Sequence, residues 1–190
     1  MSDFVLSSDF VLQFRSHFPY APNGQKNVVK DSSLPEEHSG SVSGHSFAIV
    51  VSRYHHAITG KLLEGALETL ARHEVPDDQI RVVWAPGAWE LPIVAQTLLR
   101  SNVKYGAVLC FGCVIRGETT HDQYINATVS HSLGELSLGN NVPIGFGLLT
   151  CNTMEQAVAR AGGDVGNKGV ETATAAIETR KLMDSIVAGN

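Results

Sequence analysis

A chain of 190 residues with 43% hydrophobic content can build one proper core with an extension. Its formal charge of −5 argues against a general nucleic-acid binder, which usually carries a basic face. Its longest uniformly apolar run falls far short of a membrane span, and its three cysteines do not make a disulfide framework, so it reads as soluble, cytoplasmic and without a membrane partner.

Residues 1–40 differ in character from the rest. Asp3-Phe4-Val5-Leu6 recurs as Asp9-Phe10-Val11-Leu12, and a tract rich in Pro, Gly, Asn and Ser follows. No basic start leads into a continuous apolar stretch, so the segment does not read as a secretory signal. It is expected to be a poorly ordered extension, or one whose Phe-Val-Leu pieces dock on a neighbouring subunit. Residues 41–190 are expected to form the folded domain.

From Ser46 the pattern becomes regular. Phe47 to Val51 reads as an apolar strand, and His56 to Arg72 carries helical spacing at Ile58, Leu62, Ala66, Leu67 and Leu70. Val75 to Asp78 breaks it. Ile80 to Ala85 is a second strand, and Pro86-Gly87-Ala88 turns into a helix over Trp89 to Arg100. Tyr105 to Cys110 is a third strand and Tyr124 to Leu138 a helix. Pro143 to Thr150 is a fourth strand, followed by a helix over Thr153 to Arg160. A glycine-rich link, Gly162 to Gly169, precedes a last helix ending near Ile186. This alternation predicts an α/β fold with a four-stranded parallel sheet and helices on both faces. Ligands of such sheets bind beyond the carboxyl ends of the strands, where polar and aromatic residues gather here.

Cys110 and Cys113 form a C-x-x-C. On a strand, residues three apart point to opposite faces, so the pair reads as packed thiols, a redox or metal site being the alternative. His55 and His56 diverge and have no third ligand spaced for them, so no metal is expected. The densest signal is the run from Phe111 to Ile125, which joins the third strand to the helix through Gly117, Thr119, Thr120 and His121. Helix starts offer unpaired N–H groups that suit phosphate, and a histidine there is placed to move protons. The plainer alternative is a histidine that only caps or solvates the helix start.

Several pieces are recognisable in order: Ser52-Arg53-Tyr54, Pro86-Gly87-Ala88-Trp89-Glu90-Leu91-Pro92, Val114-Ile115-Arg116-Gly117-Glu118-Thr119-Thr120-His121, Glu155-Gln156-Ala157 with Arg160-Ala161-Gly162, and Gly166-Asn167-Lys168-Gly169. With these pieces the chain, from about Gly40 to Ile186, resembles the 6,7-dimethyl-8-ribityllumazine synthases. The resemblance implies a three-layer sandwich around a flavodoxin-like sheet. It also implies condensation of 5-amino-6-(D-ribitylamino)uracil with 3,4-dihydroxy-2-butanone 4-phosphate, without metal or organic cofactor.

By the same resemblance, His121 is the proton-transfer group. The phosphate would sit on backbone N–H groups around Glu118 and Thr119, with Arg160 supplied by an adjacent subunit. Tyr54 would face the pyrimidine, Ala88, Trp89 and Glu90 would line the ribityl pocket, and Val114 and Ile115 would present backbone groups. Phe146 would close the pocket from the neighbour, with Lys168 as a further polar member. Each has a plainer reading: Tyr54 as rim packing, Phe146 as core, Glu90 as a helix-dipole residue, Arg160 as a solvated cation and Lys168 as a structural lysine. His55 stands where the family commonly has Asn or Ser, and could hydrogen-bond the pyrimidine or ribityl group. Gly145 replaces a bulkier apolar residue and is expected to loosen the wall around Phe146.

The resemblance further implies a homopentamer with sites between subunits. The short link from Arg160 to Lys168 is similar to that of members whose twelve pentamers close a 60-subunit icosahedral shell. A non-catalytic lumazine or flavin binder on the same scaffold is the competing class. It would be expected to lose the phosphate and proton-transfer residues first, and His121 and Arg160 are both present.

Overall fold

The computed structural model describes residues 40–189; the extension and its Phe-Val-Leu repeats lie outside them. Four strands form one parallel sheet: β1 (Ser46–Ser52), β2 (Ile80–Ala85), β3 (Tyr105–Ile115) and β4 (Ile144–Cys151), in the order β2-β1-β3-β4. The helices are α1 (His56–Arg72), α2 (Leu91–Leu99), α3 (His121–Asn140), α4 (Met154–Arg160) and α5 (Lys168–Ala188). This is the three-layer, flavodoxin-like architecture that the alternation of strands and helices implies. Among the described residues no helix is long and apolar enough to cross a membrane.

The sheet is covered on both faces, so its central strands are apolar on both. In β1 the six residues Phe47 to Ser52 are all buried, and in β3 so are the nine residues Tyr105 to Cys113. Phe47, Ile49, Val51, Leu109 and Phe111 pack under Leu62 and Ala66 of α1 and Ala173 and Ile177 of α5. Ala48, Val50, Val108 and Cys110 pack under Leu91 and Ala95 of α2 and Val129 and Leu133 of α3. Each large side chain here carries real weight: truncating the fully buried Leu62 to alanine would cost about 2–5 kcal/mol.

The strand register decides what the rim looks like. β3 pairs with β4 as far as Ile115 opposite Cys151, but its ladder with β1 stops at Phe111 opposite Val51. The last four residues of β3, Gly112 to Ile115, therefore have no ladder partner in β1, and Cys113 to Ile115 overhang its end at Ser52. The order β2-β1-β3 means that the chain leaves β1 in one direction and returns on its other side at β3. The crevice between those two strand ends is the topological switch point of the sheet.

Some boundaries differ from expectation. β3 runs five residues past Cys110, because pairing with Leu148 to Cys151 carries it through Gly112. α3 begins at His121 rather than Tyr124, and α2 at Leu91 rather than Trp89. The link from Gly162 to Gly169 contains a small antiparallel hairpin, Ala161–Gly163 with Gly166–Asn167, and Gly162 and Gly166 take the positive φ values (103° and 98°) that it needs. Asn167 then caps α5 by accepting from Gly169 N (2.7 Å), and its amide donates to Lys61 O of α1 (2.9 Å).

Candidate active site

Three loops converge on the carboxyl rim. After β1, Arg53 N donates to Ala85 O (2.8 Å), which ties the loop to the end of β2. Thr59 Oγ1 donates to Ser52 O (2.7 Å), and His55 O accepts from Ile58 N and Thr59 N at the start of α1. Tyr54 is displayed on this loop at 67% exposure, with the half-buried His55 beside it. After β2, Ala88 is buried, Trp89 is exposed and Glu90 forms the N-cap position of α2. The Glu90 carboxylate folds back over the loop: its Oε2 lies 3.0 Å from where a Cβ on Gly87 would stand.

After β3 come the overhanging residues and then Arg116 to Thr120, all exposed. Val114 and Ile115 are half-buried, and Arg116 N still donates to Cys151 O (2.8 Å), so β4 holds one side of this segment. The side turned toward β1 has no ladder partner among the described residues, so its backbone groups are available to a ligand. Glu118, Thr119 and His121 follow at the start of α3. No side chain caps that helix, and its first-turn N–H groups and positive dipole end lie beside exposed His121. Glu118 and Asp122 add negative charge there, so the main-chain N–H groups rather than those two side chains suit an anion.

The remaining residues form no single cluster with the rim. Phe146 lies in the amino-terminal half of β4, paired with Cys110, and is 44% exposed, so it is not a core residue. With Lys168 it lines a groove of about 390 Å³ between β4, α5 and the end of α3. The Lys168 ammonium is paired there with Glu171. Arg160 ends α4 near the carboxyl end of β4, where Nη1 donates to Gln156 O (3.2 Å). Burial pushes the Cys151 thiol up, and the nearby Arg160 guanidinium opposes that shift. The chain thus carries Tyr54, His55, Ala88 to Glu90 and Val114 to His121 on its rim, and Phe146, Arg160 and Lys168 around β4.

Two expectations are corrected or sharpened. A larger residue at Gly145, as the family commonly has, would not fit unchanged here, because Thr172 Cγ2 and Leu109 Cδ2 stand 2.6 and 2.8 Å from a hypothetical Cβ. Cys110 and Cys113 lie in opposite cores, one under α2 and α3 and the other under α1 and α5. Burial pushes both thiols up to about 12, so they are packed, protonated groups.

Sequence reading missed Asp122 and Asn126. They continue the inward stripe of Val129 and Leu133 along α3, and each has a buried Oδ1 without a partner among the described residues. The available signal was their spacing at 122, 126, 129 and 133, which places two polar residues at the rim end of an apolar stripe.

An open parallel sheet whose loops meet at its switch point, with unladdered backbone and a histidine at a helix start, defines an α/β protein of the flavodoxin-like class with a candidate site at its rim. Residues 44–184 match the sequence model of the 6,7-dimethyl-8-ribityllumazine synthase family, and the chain belongs to that family. Membership places it among the lumazine synthases of riboflavin biosynthesis, which act on small molecules.

Proposed function

We propose that this protein condenses 5-amino-6-(D-ribitylamino)uracil with 3,4-dihydroxy-2-butanone 4-phosphate to give 6,7-dimethyl-8-ribityllumazine, the penultimate step of riboflavin biosynthesis. The amine attacks the ketone and water leaves as the imine forms. Loss of phosphate and ring closure with further loss of water complete the product. Every step moves a proton, and in this reading His121, exposed at the start of α3 beside the proposed phosphate seat, is the group that moves it.

The observation that carries this reading is the end of β3, unladdered toward β1, beside that helix start. A planar heterocycle with edge donors and acceptors fits an unpaired strand edge, and a phosphate fits uncapped N–H groups. In this reading Tyr54 stacks on the pyrimidine, Val114 and Ile115 bond its edge through backbone groups, and Ala88, Trp89 and Glu90 receive the ribityl chain. Backbone at Glu118 and Thr119 seats the phosphate.

Phe146, Arg160 and Lys168 serve the site of an adjacent copy. Phe146 and Lys168 line a groove beside β4 and α5 rather than the loops that follow the strands, which supports a homo-oligomeric enzyme, a pentamer that closes into a 60-subunit shell, working in the cytoplasm and needing no cofactor.

Purified protein given both substrates should yield fluorescent lumazine and release phosphate. Binding of lumazine with turnover no faster than the spontaneous reaction would overturn the proposal and favour a non-catalytic binder. Native mass measurement separates pentamer from shell.

A further inference from the structure

At 67% exposure the Tyr54 ring has little packing to hold it, yet it meets the imidazole of His55 edge to face, with centroids 4.6 Å apart and planes at 73°. Side chains of adjacent residues in extended chain point apart. These two meet where His55 takes the left-handed conformation, φ 57° and ψ 44°, at the N-cap of α1. That region is sparsely populated by residues other than glycine, although histidine, asparagine and aspartate enter it more readily than most. Here it is fixed from three sides. Arg53 N is bonded to β2, Thr59 Oγ1 to the end of β1, and His55 O accepts from Ile58 N (2.8 Å) and Thr59 N (3.1 Å). A turn so over-determined fixes the backbone from which the imidazole extends toward Tyr54.

We propose that His55 is a positioning residue, whose imidazole braces the Tyr54 ring at the angle at which it stacks on the pyrimidine, and which does not itself bond the substrate. The proposal rests on the functional reading above for the identity of the ligand, but the brace itself is a property of the free protein. An exposed tyrosine without a brace samples several rotamers and must be ordered on binding. A ring already held in place avoids that cost.

The test is a double-mutant cycle read by titration of lumazine, with His55→Asn, Tyr54→Leu and the combination. Asparagine accepts the left-handed backbone and removes only the ring. With Tyr54 present, His55→Asn should weaken lumazine binding roughly threefold to tenfold, the scale of an edge-to-face pair, and with Tyr54→Leu by less than about twofold. Equal losses in both backgrounds would mean that His55 touches the ligand directly, and no loss in either would mean that it has no role; each overturns the proposal. A ligand-free crystal structure of His55→Asn supplies an independent arm. The Tyr54 ring should spread over more than one rotamer, and a ring left in a single unchanged orientation refutes the brace. If the native protein fails to bind lumazine, the functional reading falls, while the crystallographic arm still decides the role of His55.

Discussion

Gly169 crosses α1 so closely that a Cβ on it would stand 1.9 Å from the carbonyl oxygen of Leu62. The obstacle is helix backbone, which cannot turn aside as a flexible side chain can. Gly169→Ala must push α5 away from α1 or unwind its first turn, losing contacts among Leu62, Ala66, Ala173 and Ile177. A loss of about 3 kcal/mol is expected, at the upper end of overpacking penalties. Urea denaturation checks it; a change below about 0.5 kcal/mol would show that the crossing relaxes freely.

Asn167 joins the same two helices by its side chain. Asn167→Ala removes the cap on Gly169 N and the bond to Lys61 O together. The expected loss is about 1–2 kcal/mol, with Asn167→Asp recovering the cap but not the Lys61 contact. Thermal unfolding of the three proteins should rank them wild type, Asp, Ala.

His121→Ala should lower kcat at least about 100-fold while changing lumazine affinity much less, because proton transfer belongs to the transition state. Arg160→Ala should mainly raise KM for the phosphate-bearing substrate. If a site takes its rim from one copy and Arg160 from the next, co-expressing the two impaired variants rebuilds some intact sites, visible in assays at low concentration of the phosphate-bearing substrate. Mixed particles should then regain a measurable fraction of wild-type activity. Mixed particles no more active than the parents would place both residues in a site within one chain.

The buried thiols give a pH prediction. Cys110 is held protonated by burial up to about 12, whereas a free thiol ionises near 9. Below pH 9 both folded and unfolded chains keep the proton. Above it the unfolded chain releases it first, so stability falls as pH rises from about 9 toward 12, by up to about tenfold in the unfolding equilibrium per pH unit for this one thiol. Thiol labelling at pH 8 should be negligible for the native protein at Cys110 and Cys113 and complete in urea. Rapid native labelling of either would contradict the packed reading.

Much of this structure is legible in the residues because it is local. The bounds of α1 and β2 follow from apolar spacing and from the turn at Val75 to Asp78, and they agree with the fold residue for residue. The end of β3 does not, because Gly112 interrupts the apolar run and only its non-local partner Leu148 keeps it in the sheet. The start of α3 is hidden for a different reason: Thr119 and Thr120 are both cap-type residues, but His121, Asp122 and Gln123 after them are polar, so apolar spacing shows the helix only from Tyr124. In Gly166-Asn167-Lys168-Gly169 the sequence drew attention to the lysine. The three residues around it have backbone duties, which become visible only once α1 is laid against them.

The overhang of β3 also bears on how the protein tolerates change. If, as proposed, the ligand meets amide and carbonyl groups there, that wall is indifferent to which side chains carry it, and Val114 and Ile115 can drift among apolar residues without altering the recognition proposed for them. Alanine scanning would pass over such a wall in silence. Proline, or an ester in place of a single peptide bond, is the substitution that would make it audible.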